Sequence, residues 1–449
     1  MNPKPPFSQD ARRAAFIFSA LALMGTVISA VANGIDRTGH GAGSMGVAGA
    51  SLANEGDAVT SMAANPANLA RVRDADFYLS LVAATGSGRF RSDSGVSGRL
   101  SDSAGAFPEI VFRTPVADHL SLGLSLIPES TRLANWVFMD PLGGIDGATS
   151  YGQRDYRSEI VNLRAAAGFG LDLTESLSFG ASIGLVHSRN SLTSPYTFQT
   201  QPAVAGLKTL LDLETDAFGF NADFGLTWRA ADSLTLALAY RTPTRFDSSG
   251  KASGDIGAQF QSLGIGGPSD FRYDADIITR LPPKVSLGAR WRAAPQIHLS
   301  SQLDWTGWSQ AYDTLRVGLR NGTNPTINSM IGSSDFRDEI ALRWKDRFTL
   351  RSGIEYQLTD DTTLRFGHSF GESPVPSSTL LPMTAAITRH TLAVGVGHVC
   401  GPWSFDVAWQ YDLPEKRDAS ASAITGLEFR DSSVSVHAHW LAFTLGRTF

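Results

Sequence analysis

Two stretches carry the spacing of catalytic motifs. Gly41-Ala42-Gly43-Ser44-Met45-Gly46 matches the dinucleotide fingerprint letter for letter. That fingerprint works only between a strand and a helix, where its glycines let backbone N–H groups approach a pyrophosphate. Here an apolar N-terminal run precedes it and Ala-rich sequence follows. Gly367-His368-Ser369-Phe370-Gly371 matches the nucleophile elbow, which needs a sharp strand-to-helix turn. It ends an alternating stretch that runs into Ser373-Pro374-Val375-Pro376. Both matches read as chance. Of the nine histidines only His437 and His439 lie close together, and two residues on one strand face do not make a metal site. Cys400 is the single cysteine, so neither an intrachain disulfide nor a Cys-based metal site is available. No cofactor, no metal and no enzymatic activity are expected.

The charged residues that could do other work depend on the elements that hold them. From residue 76 onward the dominant pattern is alternation with period two, the signature of strands. Leu120, Leu122, Leu124 and Leu126 alternate with Ser121, Gly123 and Ser125; Trp403, Phe405, Val407, Trp409 and Tyr411 oppose Ser404, Asp406, Ala408 and Gln410. One face is large and apolar, the other small or charged. Strands are predicted near 76–85, 108–116, 119–127, 157–171, 176–190, 215–229, 232–246, 283–292, 296–308, 346–358, 361–370, 389–399, 402–412 and 436–449. Short turns around Ala117, Thr174, Ala231, Ala294, Asp360 and Gly401 alternate with much longer connections. An even number of strands, with short turns at one end and long loops at the other, is the rule of outer-membrane barrels. The fold class is all-β, a transmembrane antiparallel barrel of about fourteen strands with a polar lumen.

What precedes the wall is of another kind. Lys4, Arg12 and Arg13 introduce an apolar run from Ala14 to Ile28, and Ala30-Val31-Ala32 supplies a cleavage site, the layout of a secretory signal peptide over residues 1–32. Residues 33–74 hold a glycine-rich stretch, then Ala-rich sequence, then Asn65-Pro66-Ala67. They are too apolar for a solvated linker and read as a plug, the lumen's hatch, with the barrel over 75–449. Charged residues are 18% and the net charge is −5 without a basic patch, which argues against a nucleic-acid partner. The terminal strand puts Leu441, Phe443, Leu445 and Phe449 on one face, and such a C-terminal aromatic suits recognition by barrel assembly machinery.

By alternation Lys284, Arg290, Arg292, Asp304, Arg351, Glu355, Arg365 and Asp406 point into the lumen. Two readings stand. Either they form a solvated ladder of paired charges, or one or two of the basic groups receive a carboxylate by charge-assisted hydrogen bonds. Leu133, Trp136, Val137, Phe138 and Met139 lie in the second long connection, and Leu207, Leu210 and Leu211 in the third at helical spacing. These clusters either pack together as a cap or form an exposed groove for an apolar ligand.

Plug and wall together resemble the FadL/TodX (OMPP1) family of outer-membrane transporters of long-chain fatty acids and hydrocarbons. The likeness rests on Gly43-Ser44-Met45-Gly46 leading to Asn65-Pro66-Ala67, on Leu281-Pro282-Pro283-Lys284 through Asp304-Trp305-Thr306-Gly307-Trp308-Ser309, and on Arg351-Ser352-Gly353-Ile354-Glu355-Tyr356 through Ser373-Pro374-Val375-Pro376. The resemblance implies a monomeric fourteen-stranded barrel in the outer membrane of a Gram-negative bacterium, in contact with its lipid. It implies passive uptake of a hydrophobic small molecule, with capture by the Leu133–Met139 loop and lateral release past the hatch. Arg189 loosely matches a basic position of the family's ligand pocket, although its parity is outward. In the family the third strand is kinked beside the hatch. Here that strand is Leu120 to Ile127, and Gly123 within it marks either a bend or room for a neighbour. The gate residues expected are therefore Asn65, Pro66, Ala67 and Gly123. A general diffusion porin and a barrel-embedded lipid hydrolase are the alternatives.

Overall fold

A computed structural model describes residues 36–449 apart from Leu427, with backbone alone at 101–104. The expected leader therefore lies outside the described residues. Alternation builds a closed antiparallel barrel of 14 staves. Six are continuous at the start: β1 (Asp76–Ser92), β2 (Ser97–Ala117), β3 (Leu120–Met139), β4 (Gln153–Asp172), β5 (Leu177–Thr197) and β6 (Lys208–Ala231). Four are each broken in two, giving β7 (Leu234–Arg241) with β8 (Thr244–Asp255), β9 (Asp270–Leu281) with β10 (Lys284–Ala294), β11 (Ile297–Thr306) with β12 (Thr314–Arg320), and β13 (Phe336–Ala341) with β14 (Arg347–Thr359). The last four are β15 (Thr362–Gly371), β16 (His390–Cys400), β17 (Trp403–Ala419) and β18 (Ser432–Thr448), and β18 pairs with β1 to close the ring.

The outer surface carries a belt of exposed apolar side chains, among them Phe77, Leu122, Leu124, Phe220, Trp228, Leu287, Phe348, Val394, Trp403 and Phe443. No monomer surface in water sustains a continuous apolar girdle of this extent, whereas a lipid-facing band requires one. Arg447, on the same face, lies 5.0 Å from the rings of Trp403 and of Phe449.

Strands run well beyond their expected ends. β1 reaches Ser92 rather than residue 85, and β3 reaches Met139 rather than residue 127. Above the lipid band the outer face meets water, so the large-apolar half of the alternation disappears while the ladder continues. Much of the expected long-loop sequence is therefore wall. Lys208–Ala231 is strand, so Leu210 and Leu211 are not on a helix.

The N-terminal segment lies inside the lumen. It comprises α1 (Gly41–Gly46), α2 (Ala58–Ala63) and a 3₁₀ turn (Pro66–Arg71). Asp57 caps α2 by accepting from the Thr60 N–H at 3.0 Å, and Asn65 caps the 3₁₀ turn ahead of Pro66, which suits a first helical position. Wall glycines make its bed. A Cβ at Gly180 would stand 2.2 Å from the Pro66 carbonyl carbon, and one at Gly225 would stand 2.0 Å from Asn65 Oδ1.

Candidate functional site

β3 is the exceptional stave. It pairs with β4 along its length, but its ladder to β2 stops between Ile110–Leu126 and Leu100–Trp136. The interval leaves a seam in the wall. Within it a bulge between Pro128 and Ser130 reverses the faces of β3. Before the bulge Ser121 and Gly123 face the lumen; after it Arg132, Ala134, Trp136 and Phe138 do, all buried.

The N-terminal segment fills this seam. Asp36 forms an isolated antiparallel bridge with Ser130. Arg37 donates through Nη1 to Glu109 Oε1 at 2.6 Å and to the Pro128 carbonyl at 3.4 Å. The Gly41 N–H donates to Glu109 Oε2 at 2.6 Å, and His40 Nδ1 lies 3.0 Å from Oε1. One buried carboxylate on β2 thus gathers three groups of the plug across the open ladder. A carboxylate held by charge-assisted bonds is a firm anchor that can be released only by moving all three partners.

On the long-loop side of the plug is a cavity of about 270 Å³. Ile160, Leu192, Ile277, Leu342, Trp344 and Phe429 contribute to its largely apolar lining. Three of its carboxylates already have cationic partners: Lys208 Nζ lies 2.9 Å from Asp140 and 3.7 Å from Glu428, and Arg157 lies 3.1 Å from Glu159. Arg132, also lining the cavity, has no carboxylate partner among the described residues. Its Nη2 donates to the Met383 carbonyl at 2.6 Å, and its buried Nε has no acceptor among the described residues. A buried guanidinium without a counter-ion is costly, and this one has donor capacity left inside an apolar chamber.

The expected lumenal bases are placed otherwise. Lys284 pairs with Asp36 at 2.6 Å, Arg290 with Glu355 at 2.9 Å, Arg351 with Asp304 at 2.7 Å, and Arg365 with Asp406 at 2.5 Å. With Arg241, which bridges Asp223 at 2.6 Å and Glu129 at 2.9 Å, they form the paired ladder. None is left over for a ligand. Arg189 is exposed on the outer face of β5, whose ladders on both sides have no bulge. It does not enter the lumen. Arg292, expected inward, is exposed beside a short turn.

The expected capture loop is strand. Trp136 and Phe138 sit in β3 at 1% and 2% exposure, with Phe138 stacked 3.9 Å from Tyr156. Leu133 is buried, Val137 half-buried and Met139 exposed. These side chains do not form one apolar surface, because alternation sends neighbours to opposite faces. The gate residues also separate. Asn65 Nδ2 donates to Thr227 Oγ1 on β6 at 2.9 Å and to the Leu52 carbonyl at 2.9 Å, so Asn65-Pro66-Ala67 lies against β5 and β6. Gly123 is paired on both sides and marks a close approach: a Cβ there would stand 2.5 Å from Met62 Sδ and 3.0 Å from Leu69 Cδ2.

Neither motif match finds its context. Gly367–Gly371 ends β15, with no helix to form an elbow and His368 exposed while Ser369 is buried. Arg132 and Glu109 were hidden for the same reason as the strand ends. The stretch around Arg132 has no polar-apolar alternation, and Glu109 lies in a strand whose partner face is lost at the seam.

Comparison with known proteins returns the same barrel fold. Residues 23–449 match the family described as outer membrane protein transport protein (OMPP1/FadL/TodX). The chain belongs to that family. Among FadL/TodX relatives, the long-chain fatty acid transport protein of Escherichia coli K12 is 24% identical over 292 residues, and that of Salmonella typhi 22% over 289. The matches span 60% of this chain and 62% and 61% of those relatives. Among solved structures, the Pseudomonas putida toluene transporter TodX superposes with a TM-score of 0.73 at 20% identity, covering 92% of this chain and 99% of TodX. A Pseudomonas aeruginosa FadL homologue gives 0.71 at 16%, covering 94% and 99%.

Proposed function

We propose that this FadL/TodX-family chain carries a hydrophobic small molecule, a long-chain fatty acid or a hydrocarbon, passively across the outer membrane of a Gram-negative bacterium. The observation that carries the reading is the apolar chamber above the plug, with the unpaired Arg132 guanidinium in its wall. An acyl or aryl body fits the chamber, and a carboxylate meets Arg132. Residues 33–74 act as hatch and 75–449 as barrel, the long loops facing outward and both chain ends the periplasm. Phe449 is the signal for barrel assembly, and the transporter works as a monomer.

Release follows from solvent preference. A hydrophobic molecule gains nothing by entering a watery periplasm beside a bilayer. The exit that suits it is the seam between β2 and β3, which the Arg37–Glu109–Gly41 anchor keeps shut. Capture involves the connecting segments that line the chamber, through Leu381, Met383, Ile424 and Phe429, rather than the buried Trp136 and Phe138. A general porin reading is disfavoured by the filled lumen.

A deletion strain grown on oleate, on alkanes and on aromatic hydrocarbons tests the transport reading. Impaired growth on at least one of these, with sugars unaffected, is the expected result; impairment on sugars alone would sink it. The seam is tested by replacing Asp36 and Ser130 with cysteines, Cys400 being changed to Ser. Bridge partners lie within disulfide reach. Oxidation should stop uptake and reduction restore it, whereas full uptake with the bond closed excludes this exit.

A further inference from the structure

Above the apolar belt, one arc of the outer wall carries a set of basic groups that the transport cycle leaves unused. On β1 the outward side chains run Phe77, Leu79 and Leu81, then Ala83, Thr85 and Ser87, then Arg89 and Arg91. The register sets Arg89 directly opposite Arg99 of β2 on one side and Ser435 of β18 on the other, with Lys416 of β17 opposite Ser435. One rung thus reads Lys416, Ser435, Arg89, Arg99 across four strands. The next rung outward reads Asp418, Ser433, Arg91, Ser97. Arg89, Arg91 and Arg99 are exposed, and none forms an ion pair among the described residues. Asp418 is the one carboxylate among the described side chains of these rungs, 3.8 Å from Lys416.

Directly below lies an aromatic girdle. Tyr411 stacks on His439 at 4.4 Å and Trp409 lies 6.1 Å from Tyr411, the residue class that sits at a membrane–water boundary. The basic rungs therefore stand at head-group height. The opposite arc is built differently. There Arg245, which faces Arg280 across the ladder, is paired with Asp247 of its own strand, and Lys251 pairs with Asp274, Arg316 with Glu339 and Arg320 with Asp276, so each of these cations has a carboxylate. Like charges directly opposite across a ladder are destabilising, so the Arg89–Arg99 pair is one that an intervening anion would relieve. Guanidinium forks match phosphate oxygens in geometry as well as charge.

We infer that Arg89, Arg91 and Arg99, with Lys416 beside them, form a binding site for the phosphorylated head group of an outer-leaflet glycolipid, its acyl chains lying along the apolar faces of β17, β18, β1 and β2. The outward orientation rests on the topology proposed above; lipid binding by the purified barrel reports on the patch alone, whatever the chain transports. The site gives the barrel a fixed lipid neighbour next to the β2–β3 seam.

The test is native mass spectrometry and thermal melting of the full-length purified barrel with three probes: bis-phosphorylated lipid A, its dephosphorylated form, and phosphatidylglycerol. The expected result is retention of the bis-phosphorylated lipid with a raised melting temperature, and about tenfold weaker binding for the R89Q/R99Q variant, the scale of a lost charge-assisted hydrogen bond. The charge-keeping R89K/R99K variant should retain part of the binding, and R245Q on the opposite arc should retain all of it. Circular dichroism of each variant establishes that the barrel is intact. Equal binding of the dephosphorylated lipid, or equal binding by R89Q/R99Q, overturns the site. Equal binding of phosphatidylglycerol overturns its assignment to a glycolipid.

Discussion

Below the plug's crown and above it, the same fourteen staves enclose two unlike interiors. In the lower one almost every inward charge has a partner: Arg241 with Asp223 and Glu129, Arg351 with Asp304, Lys284 with Asp36 of the plug itself. In the upper one the lining is largely apolar, Lys208 is taken up by Asp140 and Glu428, and Arg132 has no carboxylate partner among the described residues. Paired charges cost less to bury than unpaired ones and hold a plug in one register, but they have nothing left to offer a ligand. An apolar chamber with one unspent cation offers the reverse. The contrast explains why the lumenal bases singled out by parity are the ones engaged in holding the structure together.

The contrast is broken most severely where the upper interior is packed. Trp136, buried against Phe90, Phe138 and Tyr156, should cost about 3–5 kcal/mol when cut to Ala. The expected outcome is a barrel that loses its folded, heat-modifiable band at lower temperature. A thermally unchanged W136A variant would mean that this cluster is a surface and not a core.

Arg132→Gln acts on the ligand. A carboxylate should lose about 1.5–3 kcal/mol of affinity in equilibrium binding to the purified protein, roughly a 10–200-fold loss, while a hydrocarbon should be unaffected. Equal losses for both ligand types would remove Arg132 from head-group recognition. Gly180→Val acts on the lower interior. The Pro66 backbone blocks the new side chain, so the plug must shift at a cost of about 1–3 kcal/mol. Single-channel recordings should then show a leak for small solutes that the parent lacks.

The smallest effect expected is a pH dependence in the plug. Burial pushes the Asp57 carboxyl up to about 6, against the hydrogen bonds from Thr60 that favour its charged form. The folded plug then holds a proton that the unfolded segment releases near 3.8. Seating is best below that value, weakens as the pH rises to about 6, and is level above it. Asp57→Asn, which keeps a capping oxygen, should flatten the profile of proteolytic plug release between those limits.

The lipid-facing wall was legible because the alternation there is imposed twice, by a polar lumen packed with small plug residues on one side and acyl chains on the other. Leu120 to Leu126 and Trp403 to Tyr411 could hardly be read otherwise. Where the outer side meets water the constraint halves, and Phe90, Trp136 and Tyr196 in upper strands looked like loop residues. Side-chain parity failed at a definite place. The extra residue between Pro128 and Ser130 turns every later position of β3 over, so Arg132 could be assigned to the interior only with the bulge in hand. Ion pairing was hidden for a different reason. That Lys284 meets Asp36 depends on how the plug lies in the lumen, which no local pattern encodes.

The four broken staves have a consequence for how the molecule comes apart. Pro243, and Pro282 with Pro283, fall in the interruptions, and proline cannot donate to a ladder. Below them β7, β10, β11 and β14 pair in one set; above them β8, β9, β12 and β13 pair in another. Amide hydrogen exchange in this arc should show two separate levels of protection, the upper set exchanging without the lower. On the β1–β6 side, where β4 and β5 pair continuously from Asp172–Ser178 to Arg157–Thr193, exchange should fall off gradually from the loop ends. A fraying front that starts at the mouth is thus halted by chemistry on one side of the barrel and only by distance on the other.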